Sequence, residues 1–254
     1  MDLNYEITGP GGAPVVVLSN SIGTDVGMWD PQLPALSGYR VLRDDQRGHG
    51  RSPAAPGPYD LAQLGGDVLR LLDAEGVERA HFAGVSLGGM IGMWLGEHHP
   101  GRIDRLALLC TSADLGPASN WRERAATVRE KGTEAVAEPS YERWFTPEFG
   151  QRRDVADKYL PMIRNAADEG YASCCEAIAG MDLLDGLDRI TAPTLVVAGN
   201  DDPATPPVHA EQIGAGIPGS VLRVLDHASH LANVERAEEV NRLLTAHFAG
   251  QTPS

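Results

Sequence analysis

The sequence predicts an α/β fold: a mostly parallel sheet covered by helices on both faces, with a helical lid inserted before the last strands. Three observations carry that expectation. Short continuous apolar runs such as Val15-Val16-Val17-Leu18 recur, as strands buried on both faces require. Stretches with helical apolar spacing separate them, and this alternation is the signature of a parallel sheet with helical crossovers. The third is Gly84-Val85-Ser86-Leu87-Gly88, set between an apolar strand and an amphipathic helical pattern. A serine on such a strand-to-helix elbow has a strained backbone, so the residues two before and two after it must be small.

The elements follow in order. Leu3 to Ile7 alternates as a strand, and Gly9-Pro10-Gly11-Gly12 turns it. After the Val15–Leu18 strand, Trp29-Asp30-Pro31 opens a short helix, with proline in its tolerated first turn. Val41 to Asp44 is the third strand. Asp60 caps the next helix with Gln63 in the capping-box position, and Leu61, Leu64, Val68, Leu71 and Leu72 form its apolar face. The elbow helix ends before Pro100, and Leu106 to Cys110 is another buried strand. From Ser119 to about Gly180 the pattern is helical: Trp121, Ala125 and Val128 share a face, Trp144-Phe145 is an aromatic pair, and small residues run from Tyr171 to Ile178. Strands return at Thr194–Ala198 and Val221–Leu225, a helix spans Ala237 to Phe248, and 251–254 read as a loose tail. Residues 1–113 and 191–254 are therefore expected to form the core, and 114–190 a helical lid over the sheet edge where ligands bind in open α/β sheets.

Composition narrows the function. A net charge of −14 argues against nucleic acid or an anionic membrane as partner. No apolar run reaches the ~18 residues of a membrane span. The start, Met-Asp-Leu-Asn-Tyr-Glu, lacks the basic and apolar regions of a signal peptide. Cys110, Cys174 and Cys175 read as buried thiols in a reducing compartment, so a cytoplasmic location is expected. Ser119 to Gly170 holds nine Lys/Arg against ten Asp/Glu, near balance in an acidic chain, and would tolerate an anionic ligand better than the rest. A solvated helical surface would show the same counts.

Ser86 needs a base, and the base an orienting acid, both on loops at the same sheet edge. His230, in the loop after the last strand, is preferred to His227, because Ala228 and Ser229 leave room to turn back over the sheet. For the acid, Asp202 ranks before Asp201, with Asp114 third. The order Ser86, Asp202, His230 is that of hydrolases built on this elbow. The expected oxyanion donors are the backbone N–H groups of Leu87 and of Ile22, the latter in Asn20-Ser21-Ile22-Gly23. His49 braces the Arg47–Ser52 loop, and neither it, His98-His99 nor Cys174-Cys175 has metal-site spacing. No metal site is expected.

Several stretches resemble one family. Leu18-Ser19-Asn20-Ser21-Ile22-Gly23-Thr24-Asp25, with Met28-Trp29-Asp30, is similar to the oxyanion segment of 3-oxoadipate enol-lactonases, members of the alpha/beta-hydrolase superfamily. Asp45-Gln46-Arg47-Gly48-His49-Gly50, Glu142-Arg143-Trp144-Phe145-Thr146-Pro147, Gly170-Tyr171-Ala172-Ser173-Cys174-Cys175, Ala204-Thr205-Pro206-Pro207 and His230-Leu231-Ala232-Asn233 complete the likeness, which covers nearly the whole chain. It implies an alpha/beta-hydrolase fold, a triad of Ser86, Asp202 and His230, and no cofactor. Three departures stand out: Asn20-Ser21 where many relatives have His-Gly, an N-terminus short by about one edge strand of ~5 residues, and Pro139-Ser140 interrupting a lid helix. The implied reaction opens 3-oxoadipate enol-lactone, a small anionic lactone. Its carboxylate needs a local cation in so acidic a protein. Arg124, one helical turn after Trp121 on the same face and matched by an arginine in the family's lid, is the expected anchor, with Trp144 an apolar wall. A surface Arg124 paired to a glutamate is the alternative. Other readings of the chain are a general carboxylesterase, a carbon–carbon hydrolase of ring-cleavage diketones, or a catalytically idle ligand receptor.

Overall fold

A computed structural model describes residues 3–252. The strands are β1 (Tyr5–Thr8), β2 (Val15–Ser19), β3 (Arg40–Asp44), β4 (Ala80–Val85), β5 (Ile103–Leu109), β6 (Thr194–Gly199) and β7 (Val221–Leu225). They form one sheet in the order β1-β3-β2-β4-β5-β6-β7, parallel except for β1, which runs antiparallel to β3 at the edge. The continuous apolar runs mark the centre. Every residue of β4 and β6 is buried, because helices cover both faces.

The helices are α1 (Leu61–Ala74), α2 (Leu87–His98), α3 (Ala118–Lys131), α4 (Glu134–Trp144), α5 (Pro147–Gly150), α6 (Arg153–Arg164), α7 (Asp168–Ala179), α8 (Pro207–Gly216), α9 (Ala232–Glu235) and α10 (Ala237–Phe248). The Asp60 side chain caps α1 by accepting from Gln63 N, and Leu61, Leu64, Val68, Leu71 and Leu72 are all buried beneath it. Helices α3 to α7 lie between β5 and β6 in the chain, with no strand among them. Small residues of α7, including Ala172, Ser173, Cys174 and Cys175, are buried where that helix meets its neighbours. Cys110, Cys174 and Cys175 are unpaired, and burial raises the pKa of each thiol, that of Cys175 to about 12. Among the described residues no helix is long and apolar enough to cross a membrane.

Three local expectations need correction. The helix expected to open at Trp29-Asp30-Pro31 is a 3-10 helix over Val26–Gln32. Asp25 caps it through Gly27 N, which starts it earlier and leaves Pro31 near its end. Pro139 does not interrupt the insertion, because α4 runs through it. Next to it, Ser140 Oγ donates to Val136 O, one turn back. Trp144 and Phe145 do not pair as adjacent rings. Phe145 packs against Tyr141, Phe149 and Tyr159, whereas Trp144 faces a cavity. The expected 251–254 tail is exposed at Gln251 and Thr252, and Pro253 and Ser254 lie outside the described residues, as do Met1 and Asp2 of the N-terminal reading.

The strand order positions the site. β2 pairs with β3 on one side and β4 on the other, so the chain's direction of travel across the sheet reverses between β2 and β4. Loops leaving the carboxyl ends of two such strands part and open a crevice. Here those loops carry Asn20–Thr24 and Ser86.

Candidate active site

The elbow is as tight as its glycines imply. Ser86 has φ 54° and ψ −115°, a left-handed conformation rare for a residue with a side chain. A Cβ on Gly84 would stand 2.2 Å from Gly88 C, and one on Gly88 2.3 Å from Ser19 O. Both contacts are to backbone and cannot be relieved by rotating a side chain. Gly84→Ala is therefore expected to destabilise the fold by at least roughly 1–3 kcal/mol, the usual cost of overpacking. Urea unfolding measures this, and an unchanged midpoint would show that the elbow relaxes. Hydrogen bonds hold the strained residue on both sides: Ser86 N donates to Leu109 O at 3.0 Å, and Thr111 Oγ1 donates to Ser86 O at 2.7 Å.

The N-terminus of α2 stands at the crevice. Gly88 N donates to Asn20 O at 3.0 Å, and Gln46 Nε2 donates to the same oxygen at 2.9 Å. These bonds seat the loop after β2 against the elbow. Among the described residues the N–H groups of Ile22 and Leu87 donate to no protein acceptor. Free N–H groups at a helix N-terminus favour negative charge. In the sequence Gln46 stands out only as part of the Asp45–Gly50 motif. Its role comes from a contact across 26 residues, which local pattern does not display.

Asp202 and His230 lie side by side, both buried. Asp202 Oδ2 is 2.8 Å from His230 Nδ1. The same oxygen accepts from Thr205 Oγ1 at 2.7 Å, while Oδ1 accepts from Ala204 N and Thr205 N at 2.8 and 3.1 Å. Burial pushes the Asp202 carboxyl up, but the His230 charge and the hydrogen bonds from His230 and Thr205 outweigh it and hold its pKa below the ordinary value. The rivals stand elsewhere: Asp201, Asp114 and His227 are exposed. His227 instead occupies a turn position with φ 54°. His49 is fully buried with Nδ1 3.0 Å from Arg47 O, within its own loop.

A cavity of about 290 Å³ opens above these groups, and Ile22, Ser86, Arg124, Trp144, Tyr171 and His230 all line it. Arg124 is half-buried and held by hydroxyls. Its Nε donates to Tyr171 OH at 2.9 Å, and its Nη2 donates to Tyr171 OH and Ser140 Oγ. Burial lowers its pKa, but the Tyr171 hydroxyl and Cys175 thiol raise it further, so the guanidinium stays charged. No carboxylate pairs with it among the described residues, and no Asp or Glu side chain lines the cavity. The glutamate-paired surface arginine weighed from the sequence is thus not what the structure contains. Arg124's partners Tyr171 and Ser140 lie 47 and 16 residues away, beyond the reach of local pattern. Arg143, marked in the sequence only by the Glu142–Pro147 motif, lines the cavity from a more exposed position. Burial and the nearby Arg124 charge lower its pKa. Among the described residues no cluster of His, Cys, Asp and Glu gathers as a metal site would.

A family profile described as alpha/beta hydrolase fold matches residues 14–237. The chain belongs to the alpha/beta hydrolase family. This hydrolase is 40% identical to 3-oxoadipate enol-lactonase 2 of Acinetobacter baylyi over 96% of its own length and 92% of that protein's. It superposes on the crystal structure of the enol-lactonase from Burkholderia xenovorans LB400 with a TM-score of 0.95 at 41% identity, covering 97% and 96% of the two chains. A hydrolase from Pseudomonas aeruginosa PA01 matches with a TM-score of 0.91 at 46% identity, covering 96% and 93%.

Proposed function

We propose that this hydrolase opens 3-oxoadipate enol-lactone with water to give 3-oxoadipate, using Ser86 as nucleophile, His230 as base and Asp202 as orienting acid. The likeness to enol-lactonases across nearly the full chain supports the substrate class. One observation on this chain's own residues carries it: a charged Arg124 faces the cavity with neutral hydroxyls as its protein partners. A guanidinium removed from bulk water without a carboxylate is costly. An anionic ligand would supply the missing charge, and the lactone carries a carboxylate beside its ring.

The proposed chemistry uses these groups in turn. Ser86 Oγ attacks the ring carbonyl while His230 Nε2 takes its proton, and the imidazolium is held by Asp202 through Nδ1. The carbonyl oxygen becomes an oxyanion facing the N–H groups of Ile22 and Leu87. The ring C–O bond breaks, and the leaving oxygen departs as an enol that becomes a ketone, taking the proton from His230. Water, deprotonated by His230, then attacks the acyl-enzyme. The Ser86–acyl bond breaks, Oγ regains its proton, and the acid is released. Residues 114–190, with Arg124 and Trp144, act as the lid that receives the lactone's carboxylate and ring. No cofactor takes part. The three buried, unpaired cysteines support a reducing, cytoplasmic setting.

The experiment compares Arg124→Met on the acidic lactone and on a neutral aryl ester. Loss of a hydrogen bond to a charged group costs about 1.5–3 kcal/mol, and this loss in kcat/KM is expected for the lactone alone. Equal losses on both substrates, or none on either, would remove Arg124 as the anchor.

A further inference from the structure

We propose that Glu235 is a positioning residue for His230: its carboxylate ties the loop that carries the histidine to the end of α4 that lines the cavity. The proposal rests on the triad assigned above. Glu235 lies at the end of α9, five residues beyond His230. Its Oε2 accepts from Ser229 N at 2.8 Å. Its Oε1 accepts from Thr146 N at 3.2 Å and from Thr146 Oγ1. Two further bonds run alongside: Ser229 Oγ donates to Arg143 O at 2.9 Å, and Leu231 N donates to Trp144 O at 2.8 Å. The residues on both sides of His230 are therefore held by residues 143–146, directly or through Glu235.

This matters because Asp202 fixes only one atom of the imidazole. The rest of the ring follows its Cα, and the Cα follows its neighbours Ser229 and Leu231. Those neighbours are bonded, directly or through Glu235, to residues 143–146 at and just beyond the end of α4, the helix that presents Ser140, Arg143 and Trp144 to the cavity. A ligand pressing on Trp144 thus acts on the segment that sets the height of the base. The acid is chemically specific. Ser229 N–H and Thr146 N–H are both donors and both aim at Glu235, and a carboxylate supplies an acceptor oxygen to each. An amide of the same shape supplies one oxygen and turns its own hydrogens against the other donor.

The test uses Glu235→Gln in the full chain, read on a neutral aryl ester so that recognition of the lactone's carboxylate does not enter. Three readouts are taken: kcat and KM, the rate at which a fluorophosphonate labels Ser86, and the low-field proton resonance of His230 Nδ1–H. A misaligned base is expected to lower kcat and the labelling rate by about tenfold to a hundredfold, with KM held within about twofold and the resonance shifted. A role confined to stability would lower the urea midpoint and leave kcat per folded molecule and the resonance where they were. That result, or wild-type kcat and labelling in folded Glu235→Gln, overturns the proposal. Should Glu235→Gln not fold, Thr146→Val decides: it removes one hydroxyl bond, a smaller fall in labelling rate supports the tie, and a wild-type rate overturns it. Failure of the triad itself looks different, since wild-type protein would then take no label at Ser86.

Discussion

Ser86→Ala is expected to lower kcat by about 10⁶-fold, the loss that follows removal of the nucleophile of a serine hydrolase. The substitution deletes one oxygen from a buried residue whose backbone is held independently of it, by Leu109 O and Thr111 Oγ1. The left-handed conformation is kept by the close approach of Gly84 and Gly88, which the alanine does not disturb. Folding should therefore survive, and circular dichroism and the urea midpoint should match wild type. What remains is a cavity with Arg124, His230 and the free N–H groups of Ile22 and Leu87, which under the proposed mechanism should still bind lactone. A folded variant that keeps a tenth of wild-type turnover would exclude Ser86 as nucleophile.

Asp202→Asn is expected to lower kcat by roughly 10⁴-fold while leaving the fold intact. The Asn Oδ1 can keep the bonds from Ala204 N and Thr205 N, so the turn survives. Its Nδ2 replaces the oxygen that faces His230 Nδ1 and donates toward that ring atom. The imidazole proton then moves to Nε2, the atom that should accept from Ser86. Asp201, exposed and apart from the ring, should tolerate Asn with little change. Measured on a neutral ester, the opposite ranking would transfer the role to Asp201, and two mild effects would point to Asp114. The carboxylate also links stability to pH. Its folded pKa lies below the ordinary value, so its contribution is fully present above the unfolded carboxyl pKa. It is lost as the pH falls through the lower, folded pKa. Asp202→Asn should flatten that acid limb in urea titrations.

Much of the fold was legible because its signals are local. Val221–Leu225 and Ala237–Phe248 begin and end where their periodicity does, and the Asp60 cap acts on a residue three positions away. Reading failed where a neighbour in space overrode a neighbour in sequence. Pro139 looks like a helix breaker, yet α4 continues through it, with Tyr141 and Trp144 buried on the same helix to offset the one missing N–H. Trp144 and Phe145 are adjacent in sequence but project from the end of α4 into different surroundings, one toward the cavity and the other into an aromatic cluster.

By itself the sequence determined the alternation of strand and helix, the need for glycine on either side of Ser86, and the chain order in which an acid and a histidine follow it. Those properties depend on φ/ψ sterics and side-chain spacing within a few residues, so they are written into any short window. Only the tertiary structure decided that Asp202 is buried against His230 while Asp201, Asp114 and His227 face water. It also decided that Arg124 meets hydroxyls from α4 and α7, and that Glu235 holds Thr146 across 89 residues. Whether a polar side chain is paired, orphaned or exposed depends on what the sheet and the inserted helices bring beside it. Packing of the whole chain, not spacing along it, sets that environment.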